Sequence, residues 1–160
     1  MLKNPSKLAR IPGQFLILQD YIINLDSNKL QFKKNNDLIT YNIKMNYWEV
    51  MNLIKYGNGQ HFKEHSDHGY SYSATVSLVG YLNDDYEGGE ISFTIRDPKG
   101  PIQGPTPAED FSQANPSTYN FFVKPKAGSV IVFPPSPPYH HTAHLVKSGS
   151  KYMVPQHWIH

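Results

Sequence analysis

Residues 73–96 read SATVSLVGYLNDDYEGGEISFTIR and contain two β-rich runs separated by turn residues. The first run, 73–82, ends at Asn-Asp-Asp, and the second, 90–96, begins after Gly-Gly. Runs rich in β-branched and aromatic residues that are bounded by Gly, Asn and Asp are typical of strands. We therefore predict two strands here, joined as a hairpin with a longer loop.

Further strands are predicted on both sides of this segment. Residues 41–47 alternate apolar and polar side chains, which is the period of a half-buried strand. Turn residues separate other strand-like segments at 50–56, 120–123, 129–133, 139–146 and 150–158. The segment 15–25 fits a helix or a strand. Many short strands predict a mainly β fold, a jelly roll (double-stranded β-helix, cupin-like), with little helix and that mostly N-terminal if any.

Length and composition predict one domain over residues 1–160, long enough to bury about 70% of its unfolded surface. The chain has no Cys, which excludes disulfides, thiolate-bound zinc and a Cys nucleophile. A formal net charge of +2, with Lys and Arg scattered along the chain, argues against a nucleic-acid partner. No segment resembles a leader or a membrane span, so we expect no membrane association and a cytoplasmic location.

Residues 97–119 are rich in Pro and Gly and show little periodicity. A loop of that length inside a compact domain is usually functional, for example as a lid. A tolerated surface insertion is the alternative.

His65, Asp67 and His141 are the candidate metal ligands. Residues i and i+2 of a strand point to the same face, so His65 and Asp67 can bind one ion without distorting the backbone. Two His and one carboxylate on one side of a metal are the ligand set of non-haem Fe(II) oxygenases. The His-X-Asp pair alone is a weak signal, because two polar residues on a solvated strand or loop would look the same.

The third ligand has three candidates in one strand-like segment, His140, His141 and His144. We predict that segments 139–146 and 150–158 pair as a hairpin. A three-residue loop at 147–149, with Gly149 in the left-handed final position, would place Lys151 on the same face as His141. A two-residue loop would favour His140 or His144 instead. The three-residue loop is the better supported of the two.

Lys151 and Tyr56 are candidate ligands for an anionic co-substrate. An iron oxygenase that uses a 2-oxo acid must bind its distal carboxylate inside the pocket, and a cation beside a hydroxyl donor satisfies that buried charge. Tyr56 directly precedes the turn Gly57-Asn58-Gly59 and could supply the hydroxyl. The alternative for Lys151 is an ordinary surface lysine.

The chain resembles the 2-oxoglutarate- and Fe(II)-dependent dioxygenases, in the prolyl 4-hydroxylase-like branch. The similar stretches, in family order, are 56–62, 65–67, 74–75, 81–84, 86–93, 125–133 and 141–158. The resemblance covers about residues 48–159. It implies that His65, Asp67 and His141 bind Fe(II), and that Lys151 and Tyr56 hold the far carboxylate of 2-oxoglutarate. The family spacing of ten residues between the distal His and the basic residue also selects His141 and Lys151.

The resemblance further implies a hydroxylase that consumes O2 and 2-oxoglutarate and releases succinate and CO2, with ascorbate as a candidate reductant. The leading substrate is a peptidyl proline in a peptide or protein partner, as in procollagen-proline 4-dioxygenases. Tyr70, Tyr72 and Trp158 could line its path. Another peptidyl residue or a free amino acid are alternatives, and an alkylated nucleobase is disfavoured by the weak positive charge.

Two positions depart from the family pattern. Tyr72 stands where the family often has an Arg associated with the substrate side, and Ile91 stands where a Thr frequently follows Gly-Gly-Glu. Both changes concern the substrate or co-substrate and leave the iron ligands intact. The N-terminal part also looks short for this branch.

Two other protein classes could use the same ligands. A non-catalytic cupin-like binding module would be indicated by loss of a ligand, and none is lost. A zinc hydrolase would need a general base, and Glu64, adjacent to His65, would face the other way on a strand.

Overall fold

The computed structural model describes residues 16–26, 29–42, 47–67, 74–95, 121–135 and 139–159. Over these ranges the chain forms fifteen strands and no helix. The strands are β1 Leu16–Gln19, β2 Ile22–Asp26, β3 Lys29–Lys34, β4 Asp37–Asn42, β5 Tyr47–Trp48, β6 Ile54–Tyr56, β7 Phe62–His65, β8 Ala74–Tyr81, β9 Glu87–Gly88, β10 Ile91–Ile95, β11 Phe121–Val123, β12 Ser129–Phe133, β13 Tyr139–Ala143, β14 Val146–Ser148 and β15 Lys151–Ile159.

Two antiparallel sheets form the body of the fold. The larger has the order β1-β12-β8-β15-β5, with β6 also paired to β15, and the smaller has the order β11-β10-β13-β7. The main core draws Val79, Tyr81, Ile131, Phe133 and Met153 from the larger sheet and Ile91 and Phe93 from the smaller. The Phe93 and Phe133 rings meet edge to face at 5.0 Å, as expected where two sheets pack on a shared core. The predicted mainly β jelly roll is confirmed.

A second core lies on the outer face of the larger sheet. Side chains alternate along a strand, so Val132 points away from the main core that its neighbours Ile131 and Phe133 enter. It packs with Leu18 and Leu78, and with Leu30 and Phe32 from the three-stranded sheet β2-β3-β4. The N-terminal strands therefore cover the larger sheet.

The segment 15–25, which fitted a helix or a strand, supplies parts of two strands, β1 and β2. The chain turns between them at Asp20, whose φ of 57° lies in the left-handed region. Asp is one of the few residue types apart from Gly that adopts this conformation with some ease.

The predicted hairpin between 73–82 and 90–96 is wrong. β8 pairs with β12 and β15, whereas β10 pairs with β11 and β13 in the other sheet. The predicted pairing of 139–146 with 150–158 is also wrong, because β13 pairs with β10 and β7 while β15 pairs with β8, β6 and β5. Turn residues indicate that the chain reverses, but in a two-sheet fold the reversing chain can cross to the opposite sheet.

The predicted lid at 97–119 lies outside the described residues, as do Tyr70 and Tyr72. Across the described ranges no helix is long and apolar enough to cross a membrane.

Candidate metal centre

The pairing of β7 with β13 brings His65 and His141 together. They are direct cross-strand partners, and their ring centroids are 4.1 Å apart. Asp67 follows two residues after the end of β7, and its Oδ1 lies 3.4 Å from His65 Nε2 and 3.5 Å from His141 Nε2. One ligand atom from each of the three residues falls within 4.8 Å of the others. The structure therefore gathers all three predicted ligands at one point.

The two imidazoles are prepared to act as ligands. Lys63 O lies 2.8 Å from His65 Nδ1, so a proton on Nδ1 donates to this carbonyl and leaves the Nε2 lone pair facing Asp67. Burial lowers the pKa of His141 to about 3, against a smaller opposing effect of Asp67. A neutral imidazole is the form that binds a metal.

The carboxylate of Asp67 is the acidic member of this cluster. Burial would raise its pKa, but the contacts with His157 and His65, the nearby His141 and a hydrogen bond from Ser77 together hold the pKa well below its ordinary range. The site thus offers one ionised carboxylate and two imidazole nitrogens. This donor set fits a divalent transition metal such as Fe(II).

The other two histidines considered as third ligands are not part of this cluster. His144 Nε2 lies 2.8 Å from Ser92 Oγ instead. His140 neighbours His141 on β13, where successive side chains point to opposite faces.

Lys151 lies in the interior and is not a surface lysine, since it is 1% exposed. Its Nζ donates a hydrogen bond to Gly89 O at 2.8 Å and lies 5.2 Å from the centre of the Tyr81 ring. Burial, together with the charge of Lys124, lowers its pKa to about 7, and Glu90 opposes this shift. An anion bound beside this buried amine would favour its charged form, so the site is suited to an anionic ligand.

Tyr56 is the cross-strand partner of Lys151 on β6 and β15. Its side chain is buried, and this burial raises the pKa of its hydroxyl. Tyr56 and Lys151 line the same cavity of about 150 Å³ as His65, Asp67 and His141. Glu64 is not among the cavity's lining residues, so this cavity offers no support for a hydrolase that uses Glu64 as base.

Three residues at the site were not predicted: Ser77, His157 and Glu49. Ser77 Oγ donates to Asp67 Oδ2 at 2.5 Å, and His157 Nε2 lies 3.3 Å from the same oxygen. Glu49 Oε2 lies 3.0 Å from His157 Nδ1. Burial would lower the pKa of His157, but its contacts with Asp67 and Glu49 raise it.

The period of two along β15 could have revealed His157. Residues 151, 153, 155 and 157 share one face of a strand, and all four line the cavity. No comparable signal marks Glu49, which is 108 residues away from His157 in the chain.

Comparison with known proteins agrees with this geometry. A family model described as "2OG-Fe(II) oxygenase superfamily" matches residues 51–160. A Pseudomonas putida prolyl-4-hydroxylase is similar in structure, with a TM-score of 0.52 and 18% identity over 72% of this chain and 54% of that chain. No curated protein sequence matches the chain.

A Trichoplax adhaerens prolyl hydroxylase, solved in complex with a hypoxia inducible factor oxygen degradation domain peptide fragment, has a TM-score of 0.53 and 14% identity. The alignment covers 72% of this chain and 46% of that chain. This chain thus spans about half the length of the two solved structures, and the likeness to them shows the fold. Because the family model matches well over half of the residues, the chain belongs to the 2OG-Fe(II) oxygenase superfamily, whose Fe(II) and 2-oxoglutarate the His-Asp-His cluster also implies.

Proposed function

We propose that this chain hydroxylates an unactivated C–H bond, with a peptidyl proline as the leading substrate. One observation carries the proposal: two His, one Asp and a buried lysine line a single cavity of about 150 Å³, and the first three are close enough together to hold one metal ion. This combination meets the two needs of the reaction, a metal with open positions and a cation for the co-substrate.

His65, Asp67 and His141 would hold Fe(II) through two neutral imidazoles and one carboxylate. When bound, Fe(II) together with 2-oxoglutarate and O2 supplies the oxidation, in which the co-substrate is converted to succinate and CO2 and one oxygen atom enters the C–H bond. The protein's own part is to orient these groups and to keep water away. Apolar side chains of Ile54 and Met153 in the cavity wall serve this exclusion.

Lys151 and Tyr56 would bind the distal carboxylate of 2-oxoglutarate. An ammonium group has three N–H donors, and the bond to Gly89 O uses one of them. The incoming carboxylate favours the charged form of Lys151 and offsets the burial that lowers its pKa to about 7. Tyr56 keeps its phenolic proton, because burial raises its pKa, and can donate it to the same anion.

Two observations support a peptidyl proline as the substrate. The similar solved structures include prolyl hydroxylases, one of them bound to a peptide fragment. In addition, Phe62 lines the cavity while 48% exposed, so it offers an apolar, accessible surface that suits a pyrrolidine ring.

The test is anaerobic reconstitution with Fe(II) and 2-oxoglutarate, followed by succinate measurement on addition of O2. Proline-containing peptides, peptides with Ala in place of Pro, and free amino acids form the panel. We expect succinate formation that depends on a proline peptide and is lost in H65A. Stimulation by another candidate would overturn the proline assignment. No succinate with any candidate, alongside intact metal binding, would overturn catalysis and favour a cupin-like binding module.

A further inference from the structure

We propose that His157 is a positioning residue, which occupies one oxygen of Asp67 together with Ser77 and so directs the other oxygen to the metal. The inference rests on the metal site of the proposed function. It deepens that function by explaining how a carboxylate with two equivalent oxygens can present one of them.

The two oxygens of Asp67 have different surroundings. Oδ2 accepts a hydrogen bond from Ser77 Oγ at 2.5 Å and lies 3.3 Å from His157 Nε2. Oδ1 faces the two ligand imidazoles, 3.4 Å from His65 Nε2 and 3.5 Å from His141 Nε2. A carboxylate oxygen has about two lone-pair sites, so two donors saturate Oδ2 and leave Oδ1 for the metal.

The two residues that contact Oδ2 lie on central strands of the larger sheet. Ser77 and His157 are direct cross-strand partners on β8 and β15. β8 lies between β12 and β15, and β15 lies between β8 on one side and β6 and β5 on the other. Neither β8 nor β15 is therefore an edge strand. Side chains mounted on such strands are located more precisely than side chains on loops.

Glu49 fixes the ring of His157 from the side opposite Asp67. Glu49 N donates to His157 O at 3.3 Å, and Gln156 Nε2 donates to Glu49 O at 2.6 Å. With its backbone held at these two points, Glu49 places Oε2 3.0 Å from His157 Nδ1. The imidazole therefore lies between two carboxylates, and each ring nitrogen faces one of them.

The chemical consequence concerns the metal's free positions. A carboxylate bound through one oxygen occupies one position, whereas a carboxylate bound through both oxygens occupies two. The oxygenase reaction needs the remaining positions for the 2-oxo acid and for O2. By keeping Oδ2 engaged, His157 and Ser77 preserve these positions. Groups of this kind change metal affinity or activity by about 10–100-fold when removed.

The experiment compares two substitutions of similar size in the full chain, H157Q and H157L. The side-chain amide of Gln can still donate to Asp67 Oδ2, whereas Leu cannot. Co(II) serves as the probe, with affinity from an anaerobic titration and coordination from the visible absorption of the bound ion. Thermal unfolding reports on folding, and H140Q is the matched histidine control, since His140 lies outside the ligand cluster.

We expect H157L to bind Co(II) about 10–100-fold more weakly than the wild-type chain and to show an altered absorption spectrum. H157Q should keep an affinity and a spectrum close to those of the wild-type chain. E49A, at a partly exposed residue, should weaken binding less, and it provides the test if H157L fails to fold. Equal losses in H157Q and H157L would overturn positioning and indicate a fourth ligand or a purely structural residue.

H157L and E49A with wild-type affinity and spectrum would also overturn the positioning role, while the metal site would stand. If the wild-type chain binds no Co(II), or H65A binds it equally well, the proposed function itself fails.

Discussion

Ser77 and His157 face each other across β8 and β15, and both contact Oδ2 of Asp67, which follows a strand of the opposite sheet. The candidate metal centre thus joins the two sheets of the sandwich. His65 and His141 come from the smaller sheet, and the groups that orient Asp67 come from the larger one. Any change in how the sheets pack should therefore alter the metal site.

Asp67→Asn should abolish tight metal binding. The change keeps the shape of the side chain but removes the negative charge, and the amide offers a neutral oxygen where the site presents an ionised one. Co(II) titration of the two proteins measures the effect. Asp84→Asn, at an exposed position, is the control and should bind as wild type does. Unchanged affinity in Asp67→Asn would contradict the assignment of this ligand.

Lys151→Met should weaken 2-oxoglutarate binding without destabilising the fold. Loss of the charge-assisted bonds corresponds to about 1.5–3 kcal/mol, which is about 10–100-fold in affinity. An apolar group of similar volume removes the cost of burying a charge, which offsets the lost hydrogen bond to Gly89 O. Calorimetry with Fe(II) replaced by Mn(II), and denaturant unfolding, measure the two effects. Unchanged 2-oxoglutarate affinity would show that the carboxylate binds elsewhere.

Binding of 2-oxoglutarate should take up a proton near pH 8. Lys151, with its pKa lowered to about 7, is then mostly neutral in the free protein, and the carboxylate favours its charged form. The affinity should accordingly fall as the pH rises above about 7. Calorimetry in two buffers of different ionisation enthalpy measures the uptake. In Lys151→Arg the guanidinium stays charged, so no uptake is expected there; uptake that persists would point to another group.

The metal-free protein should lose stability as the pH falls from about 6.5 to about 3. In this window the unfolded chain protonates His141 whereas the folded chain does not, since burial lowers its pKa to about 3. Unfolding then takes up a proton, and the free energy of unfolding drops by up to about 1.4 kcal/mol per pH unit from this residue.

His141→Gln should flatten this dependence, and His140→Gln should not. Chemical denaturation in a chelating buffer at several pH values provides the slopes. Equal slopes in wild type and His141→Gln would mean that His141 titrates normally in the fold.

Gly88→Ala should destabilise the fold more than Gly59→Ala. Both glycines have positive φ, 70° and 80°, which costs a residue with Cβ about 1–2 kcal/mol. A Cβ at Gly88 would also lie 2.2 Å from Leu145 O, whereas nothing lies within 4 Å of a Cβ at Gly59. The difference in unfolding free energy between the variants isolates the clash. Similar losses would show that the backbone at Gly88 moves away.

The candidate metal ligands could be named from the sequence because the pair His65 and Asp67 is local and the family spacing selects His141. A His-X-Asp pair, a distal His at family spacing and a lysine ten residues later are visible as residue types and distances along the chain. The prediction that Lys151 and His141 share a face rests on a hairpin that the structure does not contain, since β13 and β15 do not pair. The two residues nonetheless line one cavity, because β13 and β15 lie in sheets that pack against each other.

Residue types, spacing and the period of two were enough to predict a mainly β sandwich and a short set of candidate site residues, from which the family resemblance selected His141 and Lys151. Sequence patterns did not predict which strands pair, and they did not predict the Glu49–His157–Asp67 contacts. The alternation of apolar and polar residues along a strand indicates which face is buried. It does not indicate which strand pairs with it or which sheet packs against it. That choice depends on the packing of the whole core, and it sets the position of Asp67 relative to His157.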